Sequence, residues 1–254
     1  MMKNKLTKIA FAAGFGLALA FTLSCSSDNK DPAGCPNAVT GNGTVSCGGQ
    51  TYQTVKIGDQ IWMAQNLNYE VSDSRCYKDE LANCNKYGKL YDWATAMDFP
   101  SKCNSSSANN ETCFIKKPHQ GICPIGWHIP SNEEWDKLYR FADNVRYSES
   151  PYESPTAGKY LKSQAGWTSC GPSGSGKNFS CEDIHGFSAI PGGGGFDDHF
   201  NHAGFYGYWW SASEFNSSRA YSRYMEANRD SAYWSSNNHG RGKSILISVR
   251  CLRN

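Results

Sequence analysis

Eleven cysteines, one at position 25 and ten spread from Cys35 to Cys251, constrain this 254-residue chain more than any other feature. The ten are an even set, which suggests five disulfides and an oxidising compartment. No Cys-x-x-Cys occurs, so the usual structural zinc spacing is missing. The mean hydropathy is low, −0.59, yet 13% of residues are aromatic. Disordered chains are poor in aromatics. The combination describes a folded domain with a wet, loop-rich surface and a modest aliphatic core, supported by cross-links. The chain is long enough for one sizeable domain or two small ones.

Residues 1–24 place Lys3, Lys5 and Lys8 before an apolar run from Ile9 to Leu23, the layout of a signal peptide. That run is short for a membrane span. Leu23-Ser24-Cys25-Ser26 resembles a lipoprotein processing site, with small Ser24 before Cys25; Thr22 departs from the aliphatic residue usual three positions before the cysteine. The resemblance implies lipidation of Cys25 and two-chain anchoring to a membrane. Residues 26–34, SSDNKDPAG, suit a short polar tether. Without residues 1–24 the chain carries 22 basic against 23 acidic side chains, so it offers no basic footprint and no nucleic-acid partner is expected.

Cys35 and Cys47 bracket a turn-rich segment. TYQTVKI and QIWMAQ, separated by Gly58-Asp59, read as a β-hairpin. Leu90, Trp93, Ala94 and Met97 have helical spacing, which predicts a short helix over Leu90–Phe99. Ser131-Asn132-Glu133-Glu134 has the form of a capping box, and Trp135, Leu138, Ala142 and Val145 follow at helical spacing, predicting a helix from about Asn132 to Val145. AGKYLKS adds a helical turn. In the final third, Tyr208–Ser211, Ala220–Met225 and Ala232–Ser235 are aromatic strand candidates. Ser244–Arg250 reads as the clearest strand, with Ile245, Ile247 and Val249 on one face and Ser248 and Arg250 on the other.

The segments GGQTYQTVKIGDQIWMAQNLNY, CYKDELANCNKYGKLYDWATAM, GICPIGWHIPSNEEWDKL, AGKYLKS, DIHGFSAIPGG, YWWSASE and SVRCLRN resemble, in order, the Fibrobacter succinogenes major paralogous domain over residues 49–254. GWHIPSNEEW and the terminal VRC are also similar to the C-type-lectin-like superfamily, which includes formylglycine-generating enzymes. The resemblance implies an α+β, C-type-lectin-like domain: two main helices, a twisted antiparallel sheet, neighbouring termini and long disulfide-stapled loops. It also implies a Cys123–Cys251 bridge. Sequence proximity favours Cys35–Cys47, Cys76–Cys84, Cys103–Cys113 and Cys170–Cys181, which leaves the same pair over. The long loop it closes would restrict the unfolded chain most, by about 4–5 kcal/mol in the entropy account. The organisation expected is a signal peptide over 1–24, a lipidated tether with a local disulfide loop over 25–48, and the paralogous domain over 49–254.

Asp197, Asp198, His199 and His202, after four glycines, are metal-competent but lack a zinc or calcium spacing, so they read as polar loop and no metal is expected. His128 and His185 lie in GWHIP and DIHGF, outside any nucleophile motif. No catalytic residue and no cofactor are assigned. The EPN, QPD and WND motifs of calcium-dependent lectins are missing. Aromatics crowd residues 206–234. Trp209 or Trp210, together with Tyr224, are expected in the core, and Tyr206, Asn228, Arg229, Tyr233 and Trp234 are the candidate ligand-binding residues. The function expected is a non-enzymatic cell-envelope lipoprotein at the outer membrane or cell surface that recognises a polysaccharide or a surface protein. The alternatives are a formylglycine-generating-type oxidase or hydrolase, which needs a free thiol or metal, and a purely structural envelope component.

Overall fold

The hairpin forms where Gly58, at φ 61°, supplies the left-handed conformation that its two-residue turn demands. A computed structural model describes residues 35, 39–41, 43–108, 110–143, 153–171, 176, 178–235 and 239–254. The signal segment 1–24, Cys25 and the tether through residue 34 lie outside these residues. The chain is α+β. Strands β1 (Val39–Gly41), β2 (Thr44–Cys47), β3 (Gln50–Ile57) and β4 (Gln60–Met63) form an antiparallel meander. Helices α1 (Leu81–Tyr87) and α2 (Trp93–Ala96), β5 (Trp127–His128), α3 (Asn132–Asp143), β6 (Glu153–Ser154) and α4 (Ala157–Leu161) follow. Next come β7 (Cys170–Gly171), β8 (Phe179–Ser180), β9 (Gly194–Phe196), β10 (His199–Asn201), β11 (Tyr206–Asn216), β12 (Arg219–Glu226), β13 (Ala232–Trp234), β14 (Arg241–Gly242) and β15 (Leu252–Arg253).

Two larger sheets carry the architecture. The first has the order β1-β2-β3-β4-β15-β5, and Leu252 of β15 pairs with Trp62 of β4 on one side and His128 of β5 on the other. The end of the chain is therefore inserted between earlier strands. The second sheet runs β11-β12-β13-β6, with β14 also against β12. Helix α3 starts as the sequence dictates: Glu134 N–H donates to Ser131 Oγ at 3.3 Å, and Ser131 N–H to Glu134 Oε2 at 2.8 Å. Its stripe of Trp135, Leu138, Tyr139 and Ala142 is buried with Trp62, Trp209, Phe187 and Met225. The other side of the second sheet closes a separate core containing Trp210, Tyr91, Trp93, Trp127, Ile247 and Val249.

All five disulfides form, Cys35–Cys47, Cys76–Cys84, Cys103–Cys113, Cys123–Cys251 and Cys170–Cys181, with Cα separations between 4.8 and 5.9 Å. Two sequence expectations need correction. The helix over Leu90–Phe99 shrinks to the single turn of α2, because Leu90 and Tyr91 are taken by bridges to Arg75 and Ile247. The side chain of Asp92 then starts the turn by accepting from the Thr95 N–H at 2.7 Å. Ser244–Arg250 is not a regular strand either. Leu246, Ile247 and Ser248 bridge to Gly195, Tyr91 and Trp209, three separate partners. Both of its faces are buried, Ser248 and Arg250 included.

That burial creates the central polar knot. The Arg250 guanidinium is fully buried and donates to Asn66 Oδ1 (2.8 Å), to the carbonyls of Met63 (3.4 Å) and Ser188 (3.3 Å), and to that of Phe187, whose ring it covers. Asn66 Oδ1 also accepts from Trp209 Nε1 at 2.8 Å, while its amide donates to Tyr87 O (2.9 Å) and Ser248 Oγ (3.1 Å). One side chain thus joins the segment after β4, the end of α1, β11 and the 246–250 crossing. Removing a partner of a buried charge leaves that charge uncompensated. Asn66→Ala is expected to lower the unfolding free energy by about 3 kcal/mol or more in a denaturant titration; a loss below about 1 kcal/mol would contradict the role given to this knot.

Candidate functional site

Strand β11 alternates, sending Trp209 toward α3 and Tyr206, Tyr208 and Trp210 to the opposite side. Gly207 makes room on the α3 side, where a Cβ would fall 2.4 Å from the Trp209 ring. Register then assembles a tyrosine-rich face. Tyr206 lies opposite Glu226, Tyr208 opposite Tyr224, Tyr224 opposite Tyr233, and Tyr233 opposite Glu153.

The rings of Tyr206 and Tyr208 stack at 5.3 Å with planes 6° apart, and those of Tyr224 and Tyr233 at 4.8 Å and 15°. The two stacks meet at 44–48°, with centroids 6.0 and 6.4 Å apart. Tyr206, Tyr224 and Tyr233 are half-buried, and Tyr208 is nearly buried. Arg241 caps this array from β14, its guanidinium 4.1 Å from the Tyr208 ring centre and its Nε donating to Ser222 Oγ at 3.3 Å. His202 and Phe205 flank Tyr206 at 5.0 and 4.9 Å.

The charges on this face are few. Burial pushes the Glu226 carboxyl above its ordinary value, against the opposing pull of Arg229 and Lys162. Arg229 is exposed, and its charge acts on Tyr206, Tyr233 and Glu226. Burial pulls the Lys162 amine down to about 8. Lys162 has no exposed surface and donates to the carbonyls of Glu226 (2.9 Å) and Arg229 (2.5 Å). It thereby pins the end of β12 at Glu226 and the following turn that carries Asn228 and Arg229. Asn228 is half-buried, and its Oδ1 has no hydrogen-bond partner among the described residues.

The structure thus brings Tyr206, Tyr233 and Arg229 together, with Asn228 in the adjoining turn. Trp234 lies elsewhere. It faces α3, donates from Nε1 to Asp136 at 2.7 Å, and sits against Tyr139 and the Arg223 guanidinium. Both Trp209 and Trp210 are fully buried, whereas Tyr224 belongs to the half-buried face. Sequence reasoning did not single out Tyr208, Glu226 or Arg241 as site residues, and it expected Tyr224 in the core. The i, i+2 spacing of Tyr206 with Tyr208 and of Tyr224 with Glu226 was the available signal; which strands pair was not.

The other polar clusters serve the fold. Asp197 and Asp198 form the turn between β9 and β10, where Arg75 donates to Asp197 O at 2.8 Å and Asp198 Oδ1 at 3.1 Å. The glycines before them are explained by crowding: a Cβ on Gly193 would lie 2.4 Å from Asn201 O. His128 bridges Asn254 (2.6 Å) and Glu134 (2.9 Å), tying the chain end to the start of α3. Burial tends to raise the Glu134 carboxyl, but hydrogen bonds from His128 and Ser131 outweigh it and hold the group below its ordinary value. His185 packs against Phe141 and Tyr160. Among the described residues, no three His, Cys, Asp or Glu side chains gather as a metal site, and no helix is long and apolar enough to cross a membrane.

These features define a disulfide-stapled α+β domain with an aromatic sheet face. The chain belongs to the Fibrobacter succinogenes major domain family, which it matches over residues 55–253. No curated protein and no solved structure matches it.

Burial pushes the phenols of Tyr208, Tyr224 and, in the core, Tyr52 up to about 12. In the unfolded chain a phenol ionises near 10, so the unfolded state loses its protons first as pH rises. The stability these groups contribute is complete below pH about 10 and is lost as pH rises through about 12. Melting temperature measured across this window is expected to fall steeply, in step with a delayed rise in tyrosinate absorbance. A melting temperature unchanged from pH about 10 to about 12 would contradict the burial of these phenols.

Proposed function

We propose that this protein is a cell-envelope lipoprotein whose C-type-lectin-like domain binds a glycan without catalysis. The tyrosine face carries the reading. Tyr206 and Tyr233 offer half-exposed aromatic surface on the two strands that flank β12, bordered by Glu226 and Arg229, and aromatic planes with polar neighbours are suited to the apolar faces and hydroxyl edges of sugars. Stacking and strand pairing hold the rings in place before any ligand arrives, which limits the entropy lost on binding. The C-type-lectin-like assignment is supported by β15 lying between β4 and β5, by the Cys123–Cys251 bridge beside it, and by the capped α3 of GWHIPSNEEW. Against formylglycine-type oxidation stands the pairing of all ten cysteines after Cys25, which leaves no thiol for that chemistry.

A glycan array and a pull-down on insoluble polysaccharide test the reading. Wild-type protein is expected to bind, and Tyr206→Ala and Tyr233→Ala are each expected to lose about tenfold in affinity, or about 1.4 kcal/mol, with unchanged far-ultraviolet dichroism. Binding by wild type that neither substitution weakens would move the site elsewhere, and the absence of any glycan binding would favour a protein partner.

Attachment to the outer membrane or cell surface rests on Cys25 and the apolar segment before it. Labelling with a fatty-acid analogue is expected to tag the protein and to fail in Cys25→Ala. A tag that survives this substitution would place the lipid on another residue.

A further inference from the structure

We propose that the tyrosine face selects neutral, hydroxyl-rich glycan chains and rejects uronate-bearing ones, with Glu226 accepting hydrogen bonds from sugar hydroxyls and Arg229 donating to sugar oxygens. This inference rests on the glycan-binding reading and specifies its ligand class. Glu226 is the register partner of Tyr206, and its charge acts on all four tyrosines of the face. Its carboxylate has no hydrogen-bond donor among the described residues, although its own backbone carbonyl is held by Lys162. A half-buried carboxylate is an acceptor-only group with several lone-pair sites, and leaving it partly dry without donors is costly. A neutral sugar brings hydroxyl donors to that place.

An anionic sugar would meet repulsion instead. Glu226 is the carboxylate in register with Tyr206, and its charge reaches across to Tyr233 on the far strand. The nearby cations are largely committed. Arg241 lies on the Tyr208 ring and bonds Ser222, and Lys162 is buried on two carbonyls. Among the described residues that act on Glu226, Arg229 is the exposed cation. Like charges brought together in a partly desolvated setting repel far more strongly than in bulk water.

Isothermal titration of the full protein against a neutral β-linked glucan and against a polyuronate, repeated with Glu226→Gln and Glu226→Asp, tests this. Wild type is expected to bind the glucan and to bind the polyuronate at least tenfold more weakly. Glu226→Gln is expected to lose about tenfold on the glucan and to narrow the discrimination, whereas Glu226→Asp, which keeps the charge, retains the discrimination. Equal or tighter binding of the polyuronate by wild type, or full glucan affinity in Glu226→Gln, would overturn the charge selection while leaving glycan binding in place. Failure of wild type to bind either polymer, together with a negative glycan array, would remove the glycan reading itself.

Discussion

The fold depends on a fully buried guanidinium, that of Arg250, and on the single amide of Asn66 that organises its surroundings. An isolated ion of this kind is very costly to bury, so it constrains everything near it. Here three carbonyls, one side-chain oxygen and one aromatic ring surround it. Apart from Met63 at the end of β4, those groups come from segments with little regular structure, whose carbonyls need donors from elsewhere. The same solution recurs. Lys243, also without exposed surface, donates to the carbonyls of Cys103, Ser106 and Ser217 and to Glu214. Arg223 joins β12 to the first two turns of α3 through Asn132 and Asp136. Buried cations thus act as knots in a chain whose strands are mostly short, and the disulfides close the loops between them.

This construction places the tyrosine face. Trp209, held by Asn66, fixes β11 from the core side, and the rings on the opposite side follow from strand alternation. Lys162 fixes the turn after β12 from beneath, and with it the backbone around Glu226 and Arg229. The face is therefore positioned by groups that never reach solvent. Substitutions at those buried sites would act on the proposed binding through the frame, and substitutions at the rings through contact.

Much of the frame was legible in the sequence because its signals are local. The capping box at Ser131 and Glu134, the Gly58-Asp59 hairpin and the short cysteine loops each depend on neighbours within a dozen residues. The errors arose where distant segments competed for the same backbone. Leu90 and Tyr91 carry a helical pattern, yet bridges to Arg75 and Ile247 hold them extended. Ile245, Ile247 and Val249 alternate like one face of a strand, but Arg250 turns inward onto Asn66, which alternation alone would send to solvent. The candidate site divides in the same way. Tyr206, Tyr233 and Arg229 were readable as an aromatic and charged cluster. That Trp234 faces Asp136 while Tyr224 and Glu226 join the tyrosines follows from pairing register, which no short stretch of sequence encodes.

The proposed binding face is the pre-formed tyrosine array carried by β11, β12 and β13. Ring resonances of selectively labelled tyrosines, followed during titration with a neutral β-linked oligosaccharide, test it most directly. Tyr206 and Tyr233 are expected to shift in proportion to occupancy while the buried rings of Tyr52, Tyr91 and Tyr139 stay fixed. Saturable binding that leaves Tyr206 and Tyr233 unmoved, or that perturbs the buried rings instead, would contradict it.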